Sequence, residues 1–293
     1  MSKCHPLASV AGSVPPQAWF AVSAIFHYLG PSFAVLLFPA VGVLGVAWLR
    51  IASAALLFTT WTRPWRVIAQ AGPEERALLF ALGAVLAFMN CAFYLALDRL
   101  PMSLVAALEF AGTIAIALYG LRTARNYAAL ALVAAGVFIL IDVKWSSDPV
   151  GLSWALVNGI LFVAYIAVGH KISQAGATDG VERLGAAMVV AFVFVMPIGL
   201  VSAMAAFSSP VLLLAGIGVG ICSSVIPYVC DQLAMSRLPR ASFALLLSLL
   251  PATATMIGAI VLRQVPSSSD LVGVLLVMLG VAIHKPAAPS RAI

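Results

Sequence analysis

The chain has 293 residues, of which 63% are hydrophobic and 9% are charged, and its formal net charge is +6. Soluble proteins contain about 45–50% apolar and about 25% charged residues, so this composition excludes a soluble globular protein and indicates an integral membrane protein. The chain has no run of five or more Lys or Arg. Its positive charge is therefore typical of cytoplasmic loops and not of nucleic-acid binding.

Apolar stretches predict ten transmembrane helices, which would use roughly 200 residues at about 20 residues per span. Polar residues, Pro and Gly separate the stretches and mark the loops. Residues 1–16 form a predicted N-terminal tail and residues 285–293 a C-terminal tail. The predicted spans are Gln17–Leu37, Val41–Trp61, Ala77–Leu97, Met102–Leu121, Tyr127–Asp142, Gly151–His170, Leu184–Phe207, Val211–Cys230, Ala241–Leu262 and Leu271–His284.

The distribution of positive charge over alternate loops predicts the orientation of the chain. Twelve Lys and Arg residues fall in the loops and tails on one side, and three fall on the other. Because cytoplasmic loops carry the excess of Lys and Arg, both termini are predicted to be cytoplasmic. An even number of spans also requires both termini on one side.

A short motif occurs twice and indicates an internal repeat. Leu95–Pro101 and Leu233–Pro239 share the pattern L-A-x-x-R-L-P at an offset of 138 residues. Each copy closes the third span and opens the fourth span of a five-helix half, and the two halves are residues 17–143 and 150–284. Since five is odd, the halves would be inverted, as in secondary transporters that bind substrate at the midplane between repeats. A duplication without transport is the alternative.

Several short segments, in order and spacing, resemble the EamA-type exporters of the drug/metabolite transporter superfamily, and most closely the bacterial amino-acid exporters among them. These segments are Leu37–Gly42, Leu49–Ala52, Met89–Tyr94, Val105–Phe110, and Arg237–Pro239 followed by Ser248 and Pro251.

The resemblance implies an all-α membrane fold of ten helices, in two inverted five-helix repeats around a central cavity. It also implies export of amino acids or related small metabolites across the bacterial inner membrane by alternating access. Two positions depart from the family pattern. Leu250 precedes Pro251 where related exporters carry Glu, and Arg263-Gln264 stand where many carry Gly-Glu.

Arg50 and Glu109 are ionisable residues inside predicted spans, where charge is costly and usually functional. Each lies eight or nine residues from the outer end of its span, which places it about 12–14 Å below the outer boundary. Equal depth makes them candidates for a structural ion pair. In the alternative interpretation, Glu109 binds a substrate ammonium or a proton.

Polar and aromatic side chains at helical spacing predict the substrate site, because a zwitterion needs both donors and acceptors. Asn90 and Tyr94 are separated by four residues on the third span, and His27 precedes Gly30-Pro31, a pair that bends the first. Such residues also serve as hydrogen bonds between helices. The predicted substrate-binding residues are His27, Asn90, Tyr94, Glu109, Asn158, Tyr165, Ser224 and Tyr228.

No enzyme motif is present in the sequence: it has no P-loop, GxGxxG, HExxH or GxSxG, and its cysteines match no metal spacing. We therefore expect a transporter that is not an enzyme and needs no cofactor or metal. Its expected partners are a small amino-acid-like molecule and the lipid bilayer, without nucleic acid, and it is expected to be monomeric. The alternative is an exporter of the same fold for a nucleobase, a sugar derivative or a cationic drug.

Overall fold

The computed structural model describes residues 14–109, 123–142, 148–173, 177–235, 246 and 249–284, and the secondary structure in these ranges is helical. The first half contains α1 (Pro16–Val41), α2 (Val43–Thr62), α3 (Pro64–Gln70), α4 (Pro73–Leu97), a helical segment at 102–109, and α5 (Ala124–Asp142). The second half contains α6 (Pro149–Ser173), α7 (Ala177–Phe207), α8 (Pro210–Gly220), a π-helical turn (Ile221–Val225), α9 (Ile226–Met235), α10 (Leu250–Val261) and α11 (Ser268–Ile283).

Local sequence signals account for where the helices begin and end. Proline occupies the first turn of α1, α4 and α8, where the missing N–H has no helical partner to lose. Gly42 joins α1 to α2 with φ of 78°, a conformation that glycine adopts without a Cβ clash. Ser267 and Asp270 form a capping box at the start of α11, which satisfies two terminal N–H groups.

Six described helical stretches are long and apolar enough to cross a membrane, namely Pro16–Val41, Val43–Thr62, Pro73–Leu97, Pro149–Gly169, Gly180–Phe207 and Pro210–Asp231. They correspond to predicted spans one, two, three, six, seven and eight. Three described helices at predicted spans five, nine and ten are apolar but shorter. The all-helical membrane fold is confirmed, whereas the count of ten spans stays a prediction.

Two helices begin several residues before the predicted starts of their spans. The helix α7 begins at Ala177 although the span was predicted from Leu184, and α4 begins at Pro73 although it was predicted from Ala77. Hydropathy detects only the lipid-crossing part, while a helix continues into water for as long as its backbone bonds persist. Residues 1–13, 110–122, 143–147, 174–176, 236–245, 247–248 and 285–293 lie outside the described residues. They include most of the predicted N-terminal tail, the predicted C-terminal tail, parts of the fourth and ninth predicted spans and part of the second repeat motif.

Helices of the first half pack mainly against helices of the second. Contacts join α2 to α7, α5 to α11, α4 to both α6 and α7, and α1 to both α9 and α10. Glycine permits the closest approaches: a Cβ at Gly45 would lie 2.8 Å from the backbone of Ser202, and one at Gly136 would lie 2.6 Å from the carbonyl oxygen of Gly273. Large apolar side chains such as Ile160 and Val201 are exposed on the outside, as expected for a surface in lipid.

Candidate functional site

The buried guanidinium of Arg50 connects α2 to the π-helical turn. Its Nε donates to Ser224 Oγ at 2.9 Å, and its Nη2 donates to the backbone oxygen of Ser223 at 2.9 Å. The side chain is only 4% exposed. Gly220 allows this contact, since a Cβ there would lie 2.7 Å from the carbonyl oxygen of Arg50. The predicted site residue Ser224 is therefore a direct partner of the buried cation.

Pro227 explains why a backbone oxygen is available to Arg50. In an α-helix the carbonyl of Ser223 would accept from the N–H four residues later, and that residue is Pro227, which has no N–H. The surrounding turn is π-helical, with the Ile226 N–H bonded to the carbonyl of Ile221, and such turns occur often at functional sites. Sequence reasoning did not identify Ser223, although the Pro at the fourth position after it is a readable signal.

The carboxylate of Glu109 is held by a residue of the other half. Asn158 Nδ2 on α6 donates to Glu109 Oε1 at 2.7 Å. Asn158 is fully buried and Glu109 is 5% exposed. A charge-assisted bond of this kind is strong in a dry interior. The carboxylate of Glu109 also lies within electrostatic range of Arg50, while a direct ion pair between the two stays a prediction.

Three tyrosine rings lie near the charged residues or near one another. The guanidinium carbon of Arg50 lies 5.3 Å from the centre of the Tyr94 ring, within the range of a cation–π interaction. The rings of Tyr165 and Tyr228 are 6.3 Å apart, and Tyr228 is in electrostatic range of both Arg50 and Glu109.

Two further predicted site residues, His27 on α1 and Asn90 on α4, differ in their surroundings. His27 is in electrostatic range of Arg50, and its ring meets that of Tyr28 edge to face at 5.4 Å. Asn90 is 2% exposed, and its Nδ2 donates to the carbonyl of Leu86 at 2.7 Å, one turn earlier in its own helix. The hydrogen bond that Asn90 donates therefore stays within its own helix, whereas the side chains of Asn158 and Ser224 are hydrogen-bonded to the charged residues.

Asp231, on α9, is a second carboxylate near the site that was not among the predicted binding residues. The side chains of Ser23 on α1 and Tyr165 on α6 lie near its carboxylate, Tyr165 within electrostatic range. The hydroxyl of Ser23 donates to the carbonyl oxygen of Pro227 on α9 at 3.2 Å. Asp231 follows Ser224 and Tyr228 at the spacing of one helix face in the sequence, but its proximity to α1 depends on packing between helices.

Contacts between loops join the two halves at the predicted outer end. Arg99 Nη1 lies 2.9 Å from Asp148 Oδ2, and the backbone N–H of Gly151 donates to Asp148 Oδ1 at 2.8 Å. The Gly151 bond and then the Arg99 guanidinium hold the pKa of Asp148 below its ordinary value. Gln264 Oε1 accepts from the backbone N–H of Met102 at 3.2 Å, so this departure from the family pattern has a neutral structural partner.

The chain is similar to known transporters. Residues 149–284 match the EamA-like transporter family. The threonine/homoserine exporter RhtA of Salmonella typhimurium (strain LT2) is 33% identical over 238 residues, which are 80% of this chain and 79% of that exporter. RhtA of Escherichia coli (strain K12) is 32% identical over the same shares. A solved crystal structure matches with a TM-score of 0.63 and 16% identity, covering 91% of this chain and 95% of that one. The last comparison shows a shared fold.

Proposed function

Because this chain belongs to the EamA-like transporter family, we propose that it exports small amino acids or closely related metabolites across the bacterial inner membrane. The relatives named above are threonine/homoserine exporters, and their names supply the first substrates to test. The apolar helices and the relatives support a multi-pass membrane protein of a transporter family. Export, alternating access and cytoplasmic termini belong to the proposal.

The observation that carries this proposal is that two opposite charges of the first half are each hydrogen-bonded to neutral residues of the second half. Arg50 of the first half is bonded to Ser223 and Ser224 of the second, and Glu109 of the first is bonded to Asn158 of the second. A zwitterion needs a cation for its carboxylate and an anion for its ammonium. Any rotation of one half against the other changes both contacts together. This coupling supports a site that opens alternately to the two sides.

The helix contacts support the proposed inverted repeat of ten spans. In an inverted repeat, each span of the first half is equivalent to the span five positions later, and α8 and α9 together form the eighth span. The contact of α1 with α9 is then equivalent to that of α6 with α4, and the contact of α4 with α7 is equivalent to that of α8 with α2. The α2–α7 and α5–α11 pairs are each equivalent to themselves, and all these pairs are in contact. The contact of α1 with α10 likewise corresponds to that of α6 with the 102–109 helix, where a Cβ at Gly159 would lie 3.2 Å from the oxygen of Leu108. The match to residues 149–284 coincides with the proposed second repeat.

Transport by the purified full chain in liposomes tests the function. Vesicles loaded with labelled threonine, homoserine or an amino acid of another class are diluted into label-free buffer, and the release of each is followed against protein-free vesicles. We expect release of small polar amino acids above the background, and slower release for Arg50→Gln, which cannot neutralise a carboxylate. If a nucleobase, sugar derivative or organic cation were released while no amino acid was, the proposed substrate class would be wrong.

A further inference from the structure

Four buried polar atoms near the charged residues have no hydrogen-bond partner in the described part of the chain. They are Tyr28 Oη, Tyr94 Oη, Asn158 Oδ1 and Ser223 Oγ. Each of the four residues is fully buried, with a relative exposure of 0%. Buried polar groups without a partner are rare because each costs free energy. Four of them around one pair of charges therefore point to a ligand that supplies the partners.

Two of these atoms adjoin the cation. The backbone carbonyl of Ser223 accepts a hydrogen bond from Arg50. The hydroxyl of the same residue is therefore close to the guanidinium. The Tyr94 ring lies 5.3 Å from the guanidinium carbon. Hydroxyls can donate, as can the three Arg50 N–H groups not used in its two hydrogen bonds to Ser223 and Ser224. Arg50, Ser223 and Tyr94 are thus donors of the kind that a carboxylate requires.

The other two atoms adjoin the anion. Asn158 Nδ2 donates to Glu109, so the amide is oriented and its Oδ1 remains as an acceptor. Tyr28 on α1 lies within electrostatic range of Glu109, and its hydroxyl oxygen can accept a hydrogen bond. A primary ammonium has three N–H donors. Glu109, Asn158 and Tyr28 each offer an acceptor group, which is one for each of the three N–H donors.

We propose that Tyr28 and Ser223 contact the substrate directly, Tyr28 in an ammonium subsite with Glu109 and Asn158, and Ser223 in a carboxylate subsite with Arg50 and Tyr94. The inference rests on the proposed function and sharpens it, because it requires a substrate with both a free carboxylate and a primary ammonium. Compounds that lack either group leave buried donors or acceptors unsatisfied, which is the strongest basis for rejecting an analogue.

The test uses two conservative variants, Tyr28→Phe and Ser223→Ala, which remove only a hydroxyl. Since these hydroxyls have no described protein partner, thermal stability without ligand should equal that of the wild type. The apparent Kd for L-threonine should rise roughly tenfold in each, the usual worth of one hydrogen bond to a charged group. Matched controls are Tyr127→Phe and Ser153→Ala, whose parent residues are exposed on α5 and α6, and these should leave the Kd unchanged.

Two analogues distinguish the subsites in the same thermal-shift titration. N-acetyl-L-threonine lacks the ammonium, and L-threonine methyl ester lacks the carboxylate charge. Tyr28→Phe should lose part of the preference for threonine over the N-acetyl compound and keep its preference over the ester, and Ser223→Ala should do the converse. An unchanged Kd in both variants, or a fall in ligand-free stability at unchanged Kd, would overturn the subsites while wild-type export of threonine left the proposed function standing. A wild type that neither bound nor exported any amino acid would overturn both.

Discussion

Replacement of Gly30 by Ala tests whether the close packing of α1 on the π-helical turn maintains the site. A Cβ at position 30 would lie 2.3 Å from Ser223 Oγ, 2.6 Å from the Ser223 nitrogen and 2.8 Å from its Cα. The hydroxyl could rotate away, but the backbone atoms can be avoided only if α1 and the turn separate. That separation would move Ser223, whose carbonyl oxygen accepts from Arg50 at 2.9 Å.

The expected cost follows from three contributions. Overpacking a dense interior costs about 1–3 kcal/mol, and loss of a hydrogen bond to a charged group costs about 1.5–3 kcal/mol. Alanine gains about 1 kcal/mol over glycine in helix propensity. We therefore expect Gly30→Ala to lower the free energy of unfolding by about 1.5–5 kcal/mol.

Gly218→Ala is the matched control, because a Cβ at that position meets no atom within 4 Å. The assay is the temperature at which each detergent-solubilised variant loses its monodisperse peak in size-exclusion chromatography, together with threonine release from liposomes. Gly30→Ala should melt well below the wild type and export more slowly, whereas Gly218→Ala should match or exceed the wild type in stability. Equal stability of the two variants would show that the turn tolerates separation from α1, and the packing argument would then be wrong.

Three further predictions concern charge and topology. Neutralising Arg50 or Glu109 alone should reduce the yield of folded protein, because each change leaves an opposite charge in a dry interior. Neutralising both should reduce the yield by less than the two single changes together, and additive losses in the double variant would exclude coupling. A cysteine introduced in place of Arg99 should react with an impermeant thiol reagent added to intact cells, while one in place of Ala124 should not, and the reverse pattern would invert the topology. The Gly151 N–H and Arg99 lower the pKa of Asp148 in the folded protein. The stabilisation from these contacts is therefore complete above the ordinary aspartate pKa of about 4 and is lost as the pH falls through the lower folded pKa. The difference in stability between wild type and Asp148→Asn should be constant from about pH 5 to 8, and a change within that range would refute the role given to Asp148.

Much of the fold was predictable from the sequence because hydrocarbon imposes severe constraints on a chain. Lipid offers no hydrogen bonds to the backbone, so apolar stretches long enough to cross must be helical. Six stretches, including Val43–Thr62 and Pro73–Leu97, were correctly assigned to helices of membrane-spanning length. The presence of charge at Arg50 and Glu109 was equally readable, since ionisable residues are rare and costly at that depth.

The partners of those charges were decided only by the tertiary structure. Depth along a helix follows from counting residues at about 1.5 Å each, but the direction in which a side chain points depends on how the helix is rotated against its neighbours. Sequence reasoning matched Arg50 with Glu109 by depth, and that ion pair stays a prediction. The structure adds partners that the sequence did not indicate: hydrogen bonds join Arg50 to Ser223 and Ser224, and Glu109 to Asn158.

The same reason separates two asparagines that look alike in the sequence. Asn90 donates to its own helix at Leu86, while Asn158 donates across to Glu109. Each lies in an apolar helix with an aromatic residue four positions later, so local pattern gives both the same expectation. The difference arises because Gly159 lets α6 approach the 102–109 helix closely, where a Cβ would lie 3.2 Å from the oxygen of Leu108. Contacts between residues about fifty positions apart are set by helix packing, which local periodicity does not encode.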